Sequence, residues 1–435
     1  MRKVDVAISV AMESLGCKLN QAEVAAWARE LERAGYRVVD ASEKADIYVL
    51  NTCTVTHVAD RKSRHLLRMA RRRNPDALIV AAGCYAERAP DEMAKIPGLG
   101  LIVGNGQKAR LTDLIVARRN GDETCSPKLA GTRALRTRAL VKIQDGCDEF
   151  CTYCIVPLVR GRQRSRPLVE IVSDVKERVM EGYREVVLTG TQIGAYGRDL
   201  GDQEDLCTLV RSILGQTALP RLRLSSVHPQ DVSEDFLSLW RDGRLCRHLH
   251  VSVQSGSDSV LARMGRRYAT ADFGRAVASA RERVPDLSVT TDVIVGFPGE
   301  SEAEFEESYN FCQRMAFARM HVFAYSPRPG TAAADMAAPV DELTKKQRSR
   351  KMQALAKKAA LRFHEQWLGR EQTVLWQTFN DCSGPEKVWC GLTSNYLKVY
   401  ARSSANLGNR LLEAGLTRTY RDGVWGELAL LPGRS

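Results

Sequence analysis

The chain has 435 residues, 44% of them hydrophobic and 27% charged, with a formal charge of +12. That is enough apolar material for two or three domains with separate cores, and too much for a disordered chain. The longest apolar stretch, around Leu78 to Ala82, is far too short to span a bilayer, and Asp5 interrupts any signal-like core in the opening "MRKVDVAISV". The expectation is a soluble cytoplasmic protein with no membrane partner. The basic excess fits a polyanionic partner, although net charge speaks to association rather than to fold.

In chain order, strand-like runs come first as "VDVAISV", "ADIYVLN", "ALIVAAGC" and "LGLIVGN", with helical patterns from about Gln21, Ala59, Ala86 and Ala109. This alternation predicts an α/β domain over 1–119 with a doubly wound parallel sheet. Residues 120–138, "NGDETCSPKLAGTRALRTR", lose periodicity and gather Gly, Pro and basic residues, so they are read as a linker. Six further strand runs follow: "ALVKIQ", "REVVLTG", "RLRLSSV", "HLHVSV", "LSVTTDVIVG" and "RMHVFAY". Each precedes a helical stretch, which predicts a partial (βα)6 barrel over 139–366 with its chemistry at the strands' C-terminal ends. After a long basic helix from about Asp341, the runs "EQTVLWQ", "LKVYAR" and "GELALL" predict a small all-β barrel over 367–435.

Of the twelve cysteines, Cys147, Cys151 and Cys154 lie in "GCDEFCTYC", just after the first barrel strand. A zinc site normally wants four ligands, and no second CxxC in the barrel completes one. A cubane iron-sulfur cluster held by three thiolates leaves one iron open for a substrate or cofactor. Three more cysteines, Cys17, Cys53 and Cys84, each follow a strand of the first domain. A parallel sheet brings them to one edge, at the crevice where doubly wound folds bind ligands, which points to a second cluster. Free cysteines are also common small hydrophobes at strand ends. Cys125, Cys207, Cys246, Cys312, Cys382 and Cys390 have no ligand-like spacing.

CxxxCxxC after the first strand of a six-unit barrel resembles the radical S-adenosylmethionine superfamily. The resemblance implies that the open iron chelates S-adenosylmethionine and that a 5′-deoxyadenosyl radical is formed, with electrons from an external donor. Tyr153, between the last two cysteines, matches an aromatic that packs near the adenine in such loops. At other strand ends, Gly190, Thr191 and Gln192 are expected to bring backbone amides to the aminocarboxylate, and Gln254, Ser255, Asp292 and Gly296 to meet the ribose and adenine edges.

With three scattered cysteines, a radical barrel and a small barrel similar to the TRAM RNA-binding domain in that order, the chain resembles the methylthiotransferases. "KIQDGCDEFCTYCIVPLVRGRQRSRP" carries most of that likeness. The family implies two 4Fe-4S clusters, on Cys17, Cys53 and Cys84 and on Cys147, Cys151 and Cys154, and S-adenosylmethionine as both methyl donor and radical source. No catalytic side chain beyond the cluster ligands is expected. "RKSRHLLRMARRR" and "KKQRSRKMQALAKKAALR" each hold eight basic or potentially basic side chains and no acid, which favours RNA over DNA as partner in this context.

Within the family, "GCKLNQAE", "NTCTVT" and "ADRKSR" are similar to the branch acting on N6-threonylcarbamoyladenosine beside the tRNA anticodon, with Lys18, Arg61 and Arg160 as possible partners for the threonylcarbamoyl carboxylate. Methylthiolation of isopentenyladenosine, or of an aspartate in ribosomal protein S12, are the alternatives inside the family. A two-cluster electron-transfer protein and a zinc RNA-binding protein are the alternatives outside it.

Overall fold

The computed structural model describes residues 8–119, 137–201, 204–380 and 386–429, so the expected linker lies almost wholly outside the described residues. The chain forms two compact units whose boundaries differ from the sequential domains expected. The first combines the N-terminal residues with 145–164 and 326–334. The second combines residues up to 144 from the end of the linker, 165–325, and the chain from Asp335 onward. The CxxxCxxC loop therefore packs with the N-terminal sheet, and the small C-terminal barrel shares a unit with the large one. Among the described residues no helix is long and apolar enough to cross a membrane.

The sheet of the first unit has five parallel strands, β1 (Ser9–Ser14), β2 (Arg37–Val39), β3 (Ile47–Thr52), β4 (Leu78–Gly83) and β5 (Leu99–Val103), in the order β2-β1-β3-β4-β5. Central β3 is buried along its whole length, as expected of a parallel strand covered on both faces. Val24, Trp27 and Leu31 of the helix Lys18–Arg33 cover one face, and Leu67 and Ala70 of the helix His57–Arg73 cover the other. That is the doubly wound arrangement. The run "VDVAISV" lies partly outside the described residues, and the three-residue β2 is too short to have carried a pattern.

In the second unit the six anticipated strands are β6 (Arg138–Lys142), β7 (Glu185–Thr189), β8 (Arg221–Leu224 with Ser226–Val227), β9 (His248–Val251), β10 (Ser288–Val295) and β11 (Arg319–Ala324). They pair in parallel in sequence order, with β8 interrupted at Ser225, and β6 and β11 remain edge strands of an open barrel. Residues alternate along each strand. Val141, Leu188, Leu222, Val251, Val293 and Met320 join the apolar core under the helices. The opposite set, including Lys142, Glu185, Arg223, His250, Asp292 and His321, faces the inside of the barrel.

The small barrel closes through five strands, β12 (Glu371–Asn380), β13 (Lys387–Thr393), β14 (Lys398–Ser403), β15 (Leu411–Tyr420) and β16 (Gly423–Leu428), in the order β12-β13-β14-β16-β15. Trp376, Trp389, Val399 and Leu416 fill it. Its turn from Leu392 to Tyr396 meets the N-terminal ends of the large barrel's strands. Arg221 and Arg223 donate to the carbonyls of Leu392 (3.1 Å), Thr393 (3.1 Å) and Ser394 (2.9 Å), and Ser288 Oγ donates to Asn395 O at 2.6 Å. Tyr396 stacks on His248 with ring centroids 4.6 Å apart, beneath the Arg223 guanidinium. Fully buried Glu185 binds Arg223 at 2.8 Å and Arg221 at 3.1 Å. Burial alone would raise its pKa, but the two guanidiniums prevail and hold it at about 2.

Candidate active site

Cys17, Cys53 and Cys84 stand just beyond the C-terminal ends of β1, β3 and β4, three adjacent parallel strands. Two glycines let these loops close up. Gly16 has φ +100°, and a Cβ there would lie 2.8 Å from both Cβ and Sγ of Cys53. Gly83 has φ +101°, and a Cβ would lie 2.4 Å from Asn51 Oδ1. Cys53 and Cys84 are buried, whereas Cys17 is reached by solvent. Burial pushes the Cys53 thiol up to about 12 and also raises Cys17. The three thiols act electrostatically on one another: Cys17 and Cys84 each raise Cys53 further.

The second triad lies in the same unit on one continuous loop. Gly146, at φ +70°, precedes Cys147 and would bring a Cβ within 2.0 Å of Arg162 O. The loop is tied by Cys147 N–H to Gly161 O at 3.1 Å, Glu149 N–H to Cys147 Sγ at 3.4 Å and Cys154 N–H to Cys151 O at 3.0 Å. Ala333 N–H donates to Thr152 O at 2.8 Å, so the segment 326–334 holds it from another side. Burial raises the Cys147 thiol to about 11. Tyr153 is half-buried on this loop.

What joins the triads is the short helix Val156–Arg160. Ile155 and Val159 pack against Cys84, and Asn105 Nδ2 donates both to Val159 O (2.5 Å) and towards Cys84 Sγ (3.7 Å). Arg160, 4% exposed, bonds to Asn20 Oδ1 (2.6 Å), Glu23 Oε1 (3.1 Å) and Asp145 Oδ1 (2.7 Å), and Glu23 also takes Lys108 Nζ at 2.6 Å. Its positive charge lowers the pKa of both Cys17 and Cys53. Of the three cations anticipated, Arg160 is thus beside the thiols but fully engaged, Arg61 is exposed, and Lys18 is half-buried. Arg328, 1% exposed, closes the same region through Asp60 (2.6 Å) and Thr54 (3.1 Å). The sequence pattern did not single it out.

In the second unit, most of the strand-end residues have hydrogen-bond partners within the chain. The amides of Thr191 (2.9 Å) and Gln192 (3.0 Å) already donate to Gln144 Oε1, so they do not point free N–H groups at a ligand. Gly190 is glycine because a Cβ would lie 2.8 Å from that same oxygen. Gln192 is buried against His228 Nδ1 at 3.0 Å, and Ser255 is fully buried and accepts from Ser257 N–H. The Gly296 N–H is taken by Glu300 at 2.6 Å, and its missing Cβ makes room for Lys345. These side groups build the walls. What remains for a ligand is the buried Thr191 hydroxyl, which lacks a partner, and Gln254, a non-glycine held at φ +66° between Asp292 and Ile294.

Inside the barrel, Asp292 accepts from His250 Nε2 (3.1 Å) and Ser252 Oγ (3.2 Å), and Thr290 bridges the rings of His248 and His250 at 3.0 Å each. Burial opposes ionisation of Asp292, but His250 and His321 outweigh it and lower its pKa. This interior is polar where a (βα) barrel is normally filled with branched apolar side chains.

The basic stripes separate on inspection. On the helix His57–Arg73, Arg61, His65, Arg68 and Arg72 are exposed together, as their spacing predicts. On the helix Glu342–Glu365, by contrast, Arg348 is buried against Glu300 at 2.9 Å, and Lys345 and Lys351 pair with Glu342 and Glu306. Arg348 and Lys345 are buried structural cations, whereas Lys351 stays exposed in a surface pair.

Comparison with known proteins agrees with this construction. Residues 141–312 match the radical SAM superfamily, and residues 9–104 match a family described as uncharacterized protein family UPF0004. A solved radical S-adenosylmethionine methyltransferase, TsrM from Kitasatospora setae, shares the fold at a TM-score of 0.55 and 16% identity, covering 76% of this chain and 74% of its own. Fold and cysteine loop define a radical S-adenosylmethionine enzyme, a class that uses a 4Fe-4S cluster and S-adenosylmethionine. Threonylcarbamoyladenosine tRNA methylthiotransferase MtaB of Thermotoga maritima is 38% identical over 416 residues, 93% of each chain, and that of Bacillus subtilis is 36% identical over 427 residues, 94% of each. A tRNA-2-methylthio-N(6)-dimethylallyladenosine synthase of Syntrophotalea carbinolica is 32% identical over 433 residues, covering 96% of this chain and 98% of its own. The chain belongs to the radical S-adenosylmethionine tRNA methylthiotransferase family.

Proposed function

We propose that this protein methylthiolates carbon 2 of N6-threonylcarbamoyladenosine beside the tRNA anticodon, using two 4Fe-4S clusters. Cys147, Cys151 and Cys154 would hold one, and Cys17, Cys53 and Cys84 the other. The donor sets fit: each is three thiols, with no cysteine beyond the two triads in the same unit among the described residues, which leaves a coordination position for a ligand. The observation that carries the reading is the meeting of both triads in one compact unit around the short helix Val156–Arg160.

When bound, the clusters and S-adenosylmethionine supply a radical able to take hydrogen from an unactivated carbon and a methylated sulfur to replace it. The chain's own part is placement and charge. Gly16 and Gly83 let the strand-end thiols approach one another. Arg160 sets a buried positive charge beside thiols that must lose protons to become ligands, while Glu23 and Asp145 fix its guanidinium. Thr191 and Gln254 of the second unit are the proposed contacts for S-adenosylmethionine; electrons come from an external donor.

Two observations favour the threonylcarbamoyl substrate over an isoprenoid one. The threonylcarbamoyladenosine enzymes above share 36–38% identity with this chain, against 32% for the dimethylallyladenosine enzyme. The polar barrel interior around His250, Asp292 and His321 also suits a group bearing carboxylate, hydroxyl and amide better than a hydrocarbon. The test is mass spectrometry of nucleosides from threonylcarbamoylated, isopentenylated and unmodified tRNA after incubation with reconstituted protein. Product on the first alone is expected; preference for the second, or product on ribosomal protein S12, would overturn the substrate.

A further inference from the structure

The second unit contains a cavity of about 670 Å³ that the proposed reaction does not use. It opens where the N-terminal ends of the large barrel's strands, the long helix Glu342–Glu365 and the small barrel come together. The chemistry of a (βα) barrel belongs to the strands' C-terminal ends, so this space is on the opposite side of the barrel. Its volume is in the range of small-molecule sites.

The lining carries more positive than negative charge. Five cations, Arg138, Arg319, Lys357, Lys398 and Arg421, line it with one carboxylate, Asp422; Lys398 pairs with Asp422, and Arg138 lies 3.9 Å from Glu185. Arg319 on edge strand β11 and Lys357 on the long helix have no hydrogen-bond or ion-pair partner among the described residues. Two amide side chains in the lining point the same way. Asn395, 2% exposed, and Gln377 each carry a buried side-chain nitrogen with no acceptor. A buried donor without an acceptor is uncommon in a folded protein and marks a place for an acceptor-rich ligand. The remaining walls, among them Leu361, Phe363 and Leu392, are apolar.

We infer that this cavity binds a phosphate-bearing small molecule of nucleotide size, its phosphates on Arg319 and Lys357 and its flat apolar portion against Phe363 and Leu361. Burial separates this from an RNA contact: Asn395, 2% exposed, offers its amide from beneath the surface rather than on it. The inference stands apart from the methylthiolation reading.

The experiment is calorimetric titration of the full chain with ADP, inorganic pyrophosphate and adenosine as probes. One ADP per chain is expected, with pyrophosphate and adenosine each binding more weakly. The double variant Arg319→Ala/Lys357→Ala should weaken ADP binding about tenfold or more, with an unchanged thermal melt because neither side chain holds the fold. Lys346→Ala/Lys358→Ala removes the same charge from exposed positions outside the lining and should leave ADP affinity unchanged. Absence of ADP binding, equal affinity for pyrophosphate, binding that survives the first double variant, or an equal loss in the second would each overturn the inference. So would an RNA oligonucleotide that requires Arg319 and Lys357 when ADP does not bind.

Discussion

The two cysteine triads hold the same number of thiols by opposite means. Cys147, Cys151 and Cys154 are gathered by one loop whose own hydrogen bonds set their spacing. Cys17, Cys53 and Cys84 are gathered by the sheet: they come together only because β1, β3 and β4 are neighbours and parallel. A local site is specified by a few residues around it, whereas a topological one depends on the packing of a whole domain and on glycines where loops nearly touch. Arg160 belongs by sequence to the first and by electrostatics to the second.

The largest expected effect falls on the local triad. Replacing Cys147, Cys151 or Cys154 singly with Ala should abolish 5′-deoxyadenosine formation, measured chromatographically after reduction, because each thiolate is one of only three anchors in the loop. Normal cleavage would break the assignment. Next, Cys17→Ala/Cys53→Ala/Cys84→Ala should retain 5′-deoxyadenosine formation, lose part of the iron and sulfide, and make no methylthiolated nucleoside. Product from this variant would make the dispersed triad structural only.

Arg160→Leu sharpens the comparison by removing the shared cation. Asp145 would lose its buried partner while Glu23 would keep Lys108, and breaking a buried pair costs up to about 3–5 kcal/mol. Chemical denaturation should register that loss, and iron analysis should show the dispersed triad loading less completely. Gly16→Ala is gentler. The strained φ and the contact with Cys53 should cost about 1–3 kcal/mol and lower product formation while leaving 5′-deoxyadenosine formation near normal.

The smallest effect is on the cluster-free chain. Burial raises the Cys53 thiol to about 12 and Cys147 to about 11, above the unfolded thiol value of about 8.5. The folded form holds these protons more tightly, so their contribution is complete below pH about 8.5 and is lost as pH rises towards 11–12. Denaturation of reduced, cluster-free protein should therefore show falling stability through that window. Cys53→Ala should flatten the fall at least as much as Cys147→Ala.

Much of this was legible in the sequence where the physics is local. The buried strands β3, β4 and β10 announce themselves as continuous apolar runs, and the CxxxCxxC loop needs no fold to be noticed. β13 and β15 were not readable: β13 is buried at Val388 and Trp389 and again from Gly391 to Thr393, with no period of two, and a bulge at Leu416/Arg418 breaks the alternation of β15. In "VPLVRGRQR", Arg160 looks like any surface arginine; its burial depends on Asn20 and Glu23, far away in sequence. Gln192, Ser255 and Gly296 sit where ligand residues are expected, but their polar groups are used by His228, Ser257 and Glu300, which no motif foretells.

The turn from Leu392 to Tyr396 works as a key in a lock. With Arg221, Arg223, Ser288 and His248 gripping it around an ionised Glu185, the small barrel is not a tethered arm that searches for a ligand and then delivers it. It is a fixed stop. Anything it grasps is held at a set distance and angle from the large barrel, as a workpiece is indexed in a jig.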